Sequence, residues 1–492
     1  MPVTFKDFLA DGVQTSCHPA LEEIAETWTG MLDPAVLEGM TDETFHPRMA
    51  AFLEGEGPSE AVKLQIAGDL ERIAVLRGPA PPESLRGRVG AVARPILTGI
   101  ADTLVLGRRT LPFSRLRRAH VLLVGDLEGP GHSPTETAID YAATLAMDPN
   151  VDRLEIVYSG FMTLDMAGYI RERLGGLPRE RGISLVSTLE NDGFLADILG
   201  RGPCTFHMVS EPTLSPVISV VSRLGPTLMH TSADIAPVQY ADVYWSGHSG
   251  AYIEQLWRRQ AAPEAFARNH VQVLSGPWRE APPPAPVTRA EIGAPDDAII
   301  IATVGDHLGA ELDEAYITGV ELAVRDRPHC IWMVVGDLPG SLSNACRQVL
   351  GDQFLHFPDT GQMERLMGAV DIYANPFRGG GGRSARMAAR AGAILLSLNQ
   401  GDAATAVPED IRASDPEDVF RRLDMLIESV ELREACGAYQ TDYIAKVCDQ
   451  RAFRSSLSGM ITLAAKRYAA RLGGLPLSQT VFAASGALAA AS

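Results

Sequence analysis

The chain has 492 residues, 46% of them apolar, which is more than one hydrophobic core usually serves and too apolar for a disordered polymer. Its formal charge of −18, from 43 basic and 61 acidic side chains, argues against broad contact with nucleic acid or anionic membrane but allows a local cluster of donors around a small anion. Six scattered cysteines without a CxxC pair, and histidines away from ligand spacing beside them, read as reduced thiols of a cytoplasmic protein without zinc.

The start, "MPVTFKDFLADGVQTS", lacks the basic residues and apolar core of a signal peptide, and no stretch holds the ~18–20 apolar residues that cross a bilayer. Residues 1–115 read as a helical N-terminal region, since "PALEEIAETWTGML" and "PSEAVKLQIAGDLERIAVL" place apolar residues every three or four positions. At its end "GRRTLPFSRLRRAH" gathers Arg108, Arg109, Arg115, Arg117 and Arg118, either a contact for an acidic partner or membrane surface, or a solvated run paired with local acids.

Residues 116–275 change character. "HVLLVGD" is a buried-strand run followed by a Gly/Pro loop and a helix; "VDRLEIVYSG", "GISLVSTL", "CTFHMVS" and "GPTLMHTS" supply further strands. Strand alternating with helix predicts a parallel α/β domain. Pro282, Pro283 and Pro284 interrupt both patterns and mark a linker over 276–296. A second α/β series, "DAIIIATVGD" through "AILLSL", then occupies 297–470 with closing helices, and 471–492 is a small-residue tail.

Within that series stands "NPFRGGGGRSARMAARAG". Gly379, Gly380, Gly381 and Gly382 fall between a strand and a helix N-terminus, where backbone N–H groups lack partners and the helix dipole is positive. Bare backbone lets a phosphate approach those donors, and Arg378, Arg383 and Ser384 add more. The bland alternative is a tight turn with no ligand. The spacing is neither a Walker A motif nor the dinucleotide fingerprint.

Strand, "NPF", glycine loop, helix and "ARAGAILLS" resemble the donor-binding segment of the GT-B glycosyltransferases, and "TRAEIGAPDDAIIIATVGD" and "FPDTGQMERLMGAVDIYANPF" resemble neighbouring segments of that family. The resemblance spans roughly 118–450. It implies two Rossmann-like parallel-sheet domains, and transfer of a sugar from a nucleotide-sugar donor to a hydroxyl of a glycan, lipid-linked or protein acceptor, with neither cofactor nor metal. It also implies donor contacts from Gly305, His307, Arg378, Gly379, Gly380, Gly381, Gly382 and Ser384, with Glu364 either at the ribose or merely solvated. Many retaining members carry two glutamates eight positions apart around this loop; here those positions are Gly379 and Met387. That departure opens a second reading, a degenerate scaffold that binds a partner without catalysis.

The acceptor side should come from the first α/β domain. In "GDLEGPGHSPTETAIDYA", Gly131 permits a tight loop, Ser133 or Thr135 can cap the helix, and His132 sits at a strand's carboxyl end, where open α/β sheets bind ligands. Several bacterial GT-B enzymes look similar at this histidine–x–proline–threonine, and His132 is the candidate general base. His248, His230 and Asp234 are further loop candidates. Base, sugar, acceptor and oligomeric state leave no local signal.

Overall fold

The structure, a computed structural model, describes most of residues 119–471, a helical stretch within 90–101 and a few isolated earlier positions. The remainder of region 1–115, the arginine cluster, Asp234, Pro282–Pro284, His307 and residues 472–492 lie outside the described residues.

Two all-parallel sheets form. The first runs β1 (Ala119–Val124), β2 (Arg153–Tyr158), β3 (Ile183–Ser187), β4 (Thr205–Val209), β5 (Thr227–His230), β6 (Val243–Ser246) and β7 (His270–Gln272), in spatial order β3-β2-β1-β4-β5-β6-β7. The second holds β8 (Ile299–Val304), β9 (Cys330–Val335), β10 (Phe354–Phe357), β11 (Ile372–Ala374) and β12 (Ile394–Leu396), in order β10-β9-β8-β11-β12. Register is continuous through the centres: Leu122 of β1 faces Ile156 and His207, and Ile301 of β8 faces Trp332 and Ile372. Helices cover both faces, so β8 and β9 are buried at every residue, which is why they read as unbroken apolar runs. The short strands β6 and β7 were not foreseen, because four and three residues are too few to show a period.

Strand order reverses between β1 and β4 and again between β8 and β11. Diverging crossovers leave a crevice at such a point, at the carboxyl ends of the strands. The loop after β1 carries Gly131 and His132, that after β8 carries Gly305, and that after β11 carries the glycine run. Three of the sequence's candidate loops are therefore placed by topology alone.

Five helices position the site: α1 (Ser133–Ala146), α2 (Leu164–Arg173), α3 (Gly250–Arg259), α4 (Gly382–Arg390) and α5 (Gln450–Arg471). The last departs from expectation. Instead of closing the second domain, α5 inserts Phe453, Leu457, Met460 and Ala464 into the core of the first, beside Tyr141 and Trp245. Arg467 donates to the carbonyls of Asp242 (3.0 Å) and Asn269 (2.9 Å), and Tyr468 donates to that of Arg223 (2.9 Å). The helical pattern was legible, but a helix does not say which sheet it will meet. The second half of the expected linker also belongs to a domain: Val287 is buried and donates to Arg365, and Arg289 forms a two-pronged pair with Asp371 at 3.0 Å.

Candidate functional site between the two sheets

The glycine loop leads from β11 into α4, whose first backbone bond is Ala385 N–H to the Gly381 carbonyl at 2.9 Å. Gly381 is the N-cap at φ +92°, with no side chain to satisfy the donors that follow it. The four glycines answer to different demands. Gly381 needs its left-handed backbone, and a Cβ there would collide with Asn375 Oδ1. Gly382 packs on Asp402, and the Gly379 carbonyl accepts from Asp402 N–H at 2.7 Å. Only Gly380 faces open space, with nothing within 4 Å of an added Cβ. The tight-turn reading explains Gly381 and Gly382 and leaves Gly380 for a ligand.

Arg378 and Ser384, expected among the ligand groups, brace this loop from below. Arg378 is 7% exposed, ion-paired with Glu311 and bonded to the Val304 carbonyl. Burial opposes its charge, but Glu311 and Tyr373 outweigh burial and hold the guanidinium above its ordinary range. Its Nε is buried beneath Gly381 without a partner. Ser384 Oγ bonds Tyr373 OH (2.8 Å) and donates to the Gly381 carbonyl (3.0 Å). Gly305 is bare because Arg378 and Glu311 cross over it. Glu311→Ala would strand a buried cation and should lower stability by about 3 kcal/mol, read as a lower melting temperature, with Glu311→Gln less damaging. An unchanged melt would show that Arg378 needs no partner.

On the facing domain, His132 is the N-cap of α1 but makes no side-chain cap bond. Ser133 and Thr135, expected as caps, lie inside the first turn, and Thr135 Oγ1 instead holds His132 Nδ1 at 3.0 Å. One turn on are Glu136 and Asp140, 4% and 1% exposed, which sequence reasoning missed. They receive Arg383 from the other domain: its guanidinium is 2.9 Å from Asp140 and 3.5 Å from Glu136. Arg173 of α2 joins at 2.9 and 3.7 Å, Tyr169 donates to Glu136, and Arg383 lies 5.0 Å from the centre of the Trp278 ring. Burial raises the pKa of Asp140, and Arg383 opposes that rise. The available signal was two acids four apart on a helix, "TETAIDYAATLA", otherwise apolar enough to be core.

His248 also meets the second domain. It is 2% exposed, stacked 4.7 Å from Tyr252 at the start of α3, and its ring reaches the backbone of Gly401. Gly401, at φ +71°, packs in turn under the carbonyls of Arg378 and Gly379. Burial, then Arg412 and His270, push the His248 pKa down to about 3, so the ring is a neutral acceptor or donor at ordinary pH. His230 lies 4.3 Å from Trp245 and is held near 3 by burial and by Arg386 of α4. His230 Nδ1, His248 Nε2 and Arg386 Nε are all buried without a hydrogen-bond partner. Glu364 stands apart, exposed on the short helix Met363–Met367.

The structure thus brings the glycine loop, Gly305, Gly131, His132, Ser133 and His248 to the seam, with Glu364 elsewhere. No protein-family model and no curated protein sequence matches the chain. Solved structures do match in shape. An O-GlcNAc transferase mutant from Thermobaculum terrenum aligns over 95% of this chain and 99% of its own, with TM-score 0.53 and 12% identity. A glycosyltransferase from Rickettsia africae aligns over 70% of this chain and 98% of its own, with TM-score 0.52 and 11% identity. The chain has the GT-B fold, two Rossmann-like parallel-sheet domains.

Proposed function

We propose that this chain is a glycosyltransferase that takes a sugar from a nucleotide-sugar donor and passes it to a hydroxyl of a glycan, lipid-linked or protein acceptor. The observation that carries the reading is the uncapped N-terminus of α4: Gly380 open to solvent, Gly381 at φ +92°, and a helix dipole aimed at the seam. Unpartnered buried nitrogens of His230, His248 and Arg386 around that seam are the kind of groups a polar ligand satisfies. The GT-B fold agrees, since both aligned structures are of glycosyltransferases.

In this reading the amides of Gly382, Arg383 and Ser384 take the donor diphosphate and stabilise it as it departs, without a metal. Arg378 acts through the loop it supports. His132, its ring oriented by Thr135, takes the proton of the acceptor hydroxyl. His248 contacts the sugar or acceptor from the other side of Gly401. No described helix is long and apolar enough to cross a membrane, and we place the reaction in the cytoplasm.

Thermal melts with UDP, GDP, ADP, CMP and dTDP test the donor site. A ligand at a hundredfold its Kd adds about 2.7 kcal/mol, and one nucleotide should raise the melt by several degrees. Gly380→Glu puts a carboxylate in the open mouth of the loop, so it should abolish that shift and leave the unliganded melt unchanged. A set of nucleotides that all leave the melt alone would overturn the reading. Gly379 and Met387 motivate the scaffold alternative: Met387 is packed in the core and Gly379 has no side chain, so neither supplies a carboxylate. A scaffold would bind nucleotide yet never release it from the sugar nucleotide, with or without acceptor.

A further inference from the structure

The first domain holds another cavity, of about 270 Å³, at the opposite, amino-terminal end of its strands, where β5 and β6 begin. Its walls come from four parts of the chain: Arg94 from the helical stretch within 90–101, Ser219 and Arg223 from the helix Pro216–Leu224, Gln239 and Tyr240 from the turn before β6, and Arg471 from the end of α5. No acid lines it. The carboxylate that Arg471 reaches, Asp242, is wholly buried and already committed: Arg471 contacts both its oxygens at 3.2 Å, and Thr227 donates twice at 3.0 Å.

Arg471 is therefore neutralised, and Arg94 and Arg223 also line the wall. Arg153, Arg173, Arg289, Arg327, Arg378 and Arg383 each pair with a carboxylate. Among the described residues Arg94 pairs with none. Burial lowers its pKa, and the phenol of buried Tyr244 is the one group that works against that fall. In a chain with 61 acids, an uncompensated guanidinium on a cavity wall marks a place for an anion. The Tyr240 ring, 4.9 Å from the Arg471 guanidinium, and Phe266 give that cavity an apolar flank suited to a carbon skeleton.

We propose that this cavity binds a small phosphate monoester, such as a sugar phosphate: a dianion facing Arg94 and Arg223, its hydroxyls facing Ser219 and Gln239. The volume is too small for a whole nucleotide sugar, which separates this site from the proposed donor site. Occupancy would fasten the end of α5 and the 90–101 helix to the domain core, because all three line one cavity.

Isothermal calorimetry on the full chain tests this with glucose 6-phosphate, inorganic phosphate and glucose as probes. Glucose 6-phosphate should bind, inorganic phosphate more weakly, and glucose not at all. Arg94→Gln should weaken the ester tenfold or more, and Arg223→Gln, on the helix Pro216–Leu224, provides the same check if Arg94→Gln does not fold. Gly380→Glu should bind the ester undiminished, so a failed donor site leaves this result standing. Failure of both phosphates to bind, or unchanged affinity in a folded arginine variant, overturns the site. Inorganic phosphate as tight as the ester overturns the monoester assignment.

Discussion

Replacing Arg383 by alanine should cost the folded chain about 3–5 kcal/mol, the usual penalty for removing one partner of a buried ion pair. Asp140, Glu136 and Arg383 are all at most one-tenth exposed at the side chain, so water cannot stand in for the missing guanidinium. Arg173 remains, but it is 3.7 Å from Asp140 and already engaged with Glu136 at 2.9 Å. The melting temperature should fall by roughly 10 °C, given about 2–4 °C per kcal/mol for domains of this size. The penalty should shrink as pH falls, because a protonated Asp140 needs no counter-ion, and burial already favours that form. Asp140→Asn in the Arg383→Ala background should restore much of the loss, and the double-mutant cycle measures the coupling. An Arg383→Ala protein that melts with wild type would remove this cluster as a tie between the domains.

That cluster marks where sequence reading stops. Strand and helix alternation, the glycine loop and the His132 loop were legible because each depends on local chemistry: unbroken apolar runs, a φ only glycine tolerates, a helix start. Which loops share a seam was legible only through topology, once the strand order reversed at β1/β4 and β8/β11. The pairing of Arg383 with Asp140 spans 243 positions, and no short-range pattern encodes it. Nor could spacing tell that Arg378 and Ser384 would face inward to support the loop. The same limit explains α5. A closing helix was expected there, but the core it enters, with Tyr141 and Trp245, lies more than two hundred residues earlier in the chain.

Acid should unfold this protein steeply, well before ordinary carboxylates titrate. Burial pushes His120 and His270 to about 4 and His230 and His248 to about 3, and drives His207 well below its ordinary value. In the unfolded chain all five titrate near 6.5. Between pH 6.5 and about 4.5 the unfolded state therefore binds protons that the folded state refuses, and stability falls as pH falls. Asp140 and Asp242 work the other way, because burial raises their pKa and the folded state holds their protons more readily. The five imidazoles dominate the count of protons taken up on unfolding, and the two carboxyls reduce it. Each proton taken up adds about 1.4 kcal/mol per pH unit to the slope, which should steepen from pH 7 towards pH 5 as the unfolded imidazoles protonate. Urea melts between pH 7 and 5 read that slope directly. His248→Gln cannot take up a proton, and should remove about one from the count while leaving the sign unchanged. A stability flat over this range would mean that these rings reach water, and with them the seam where the donor is proposed to lie.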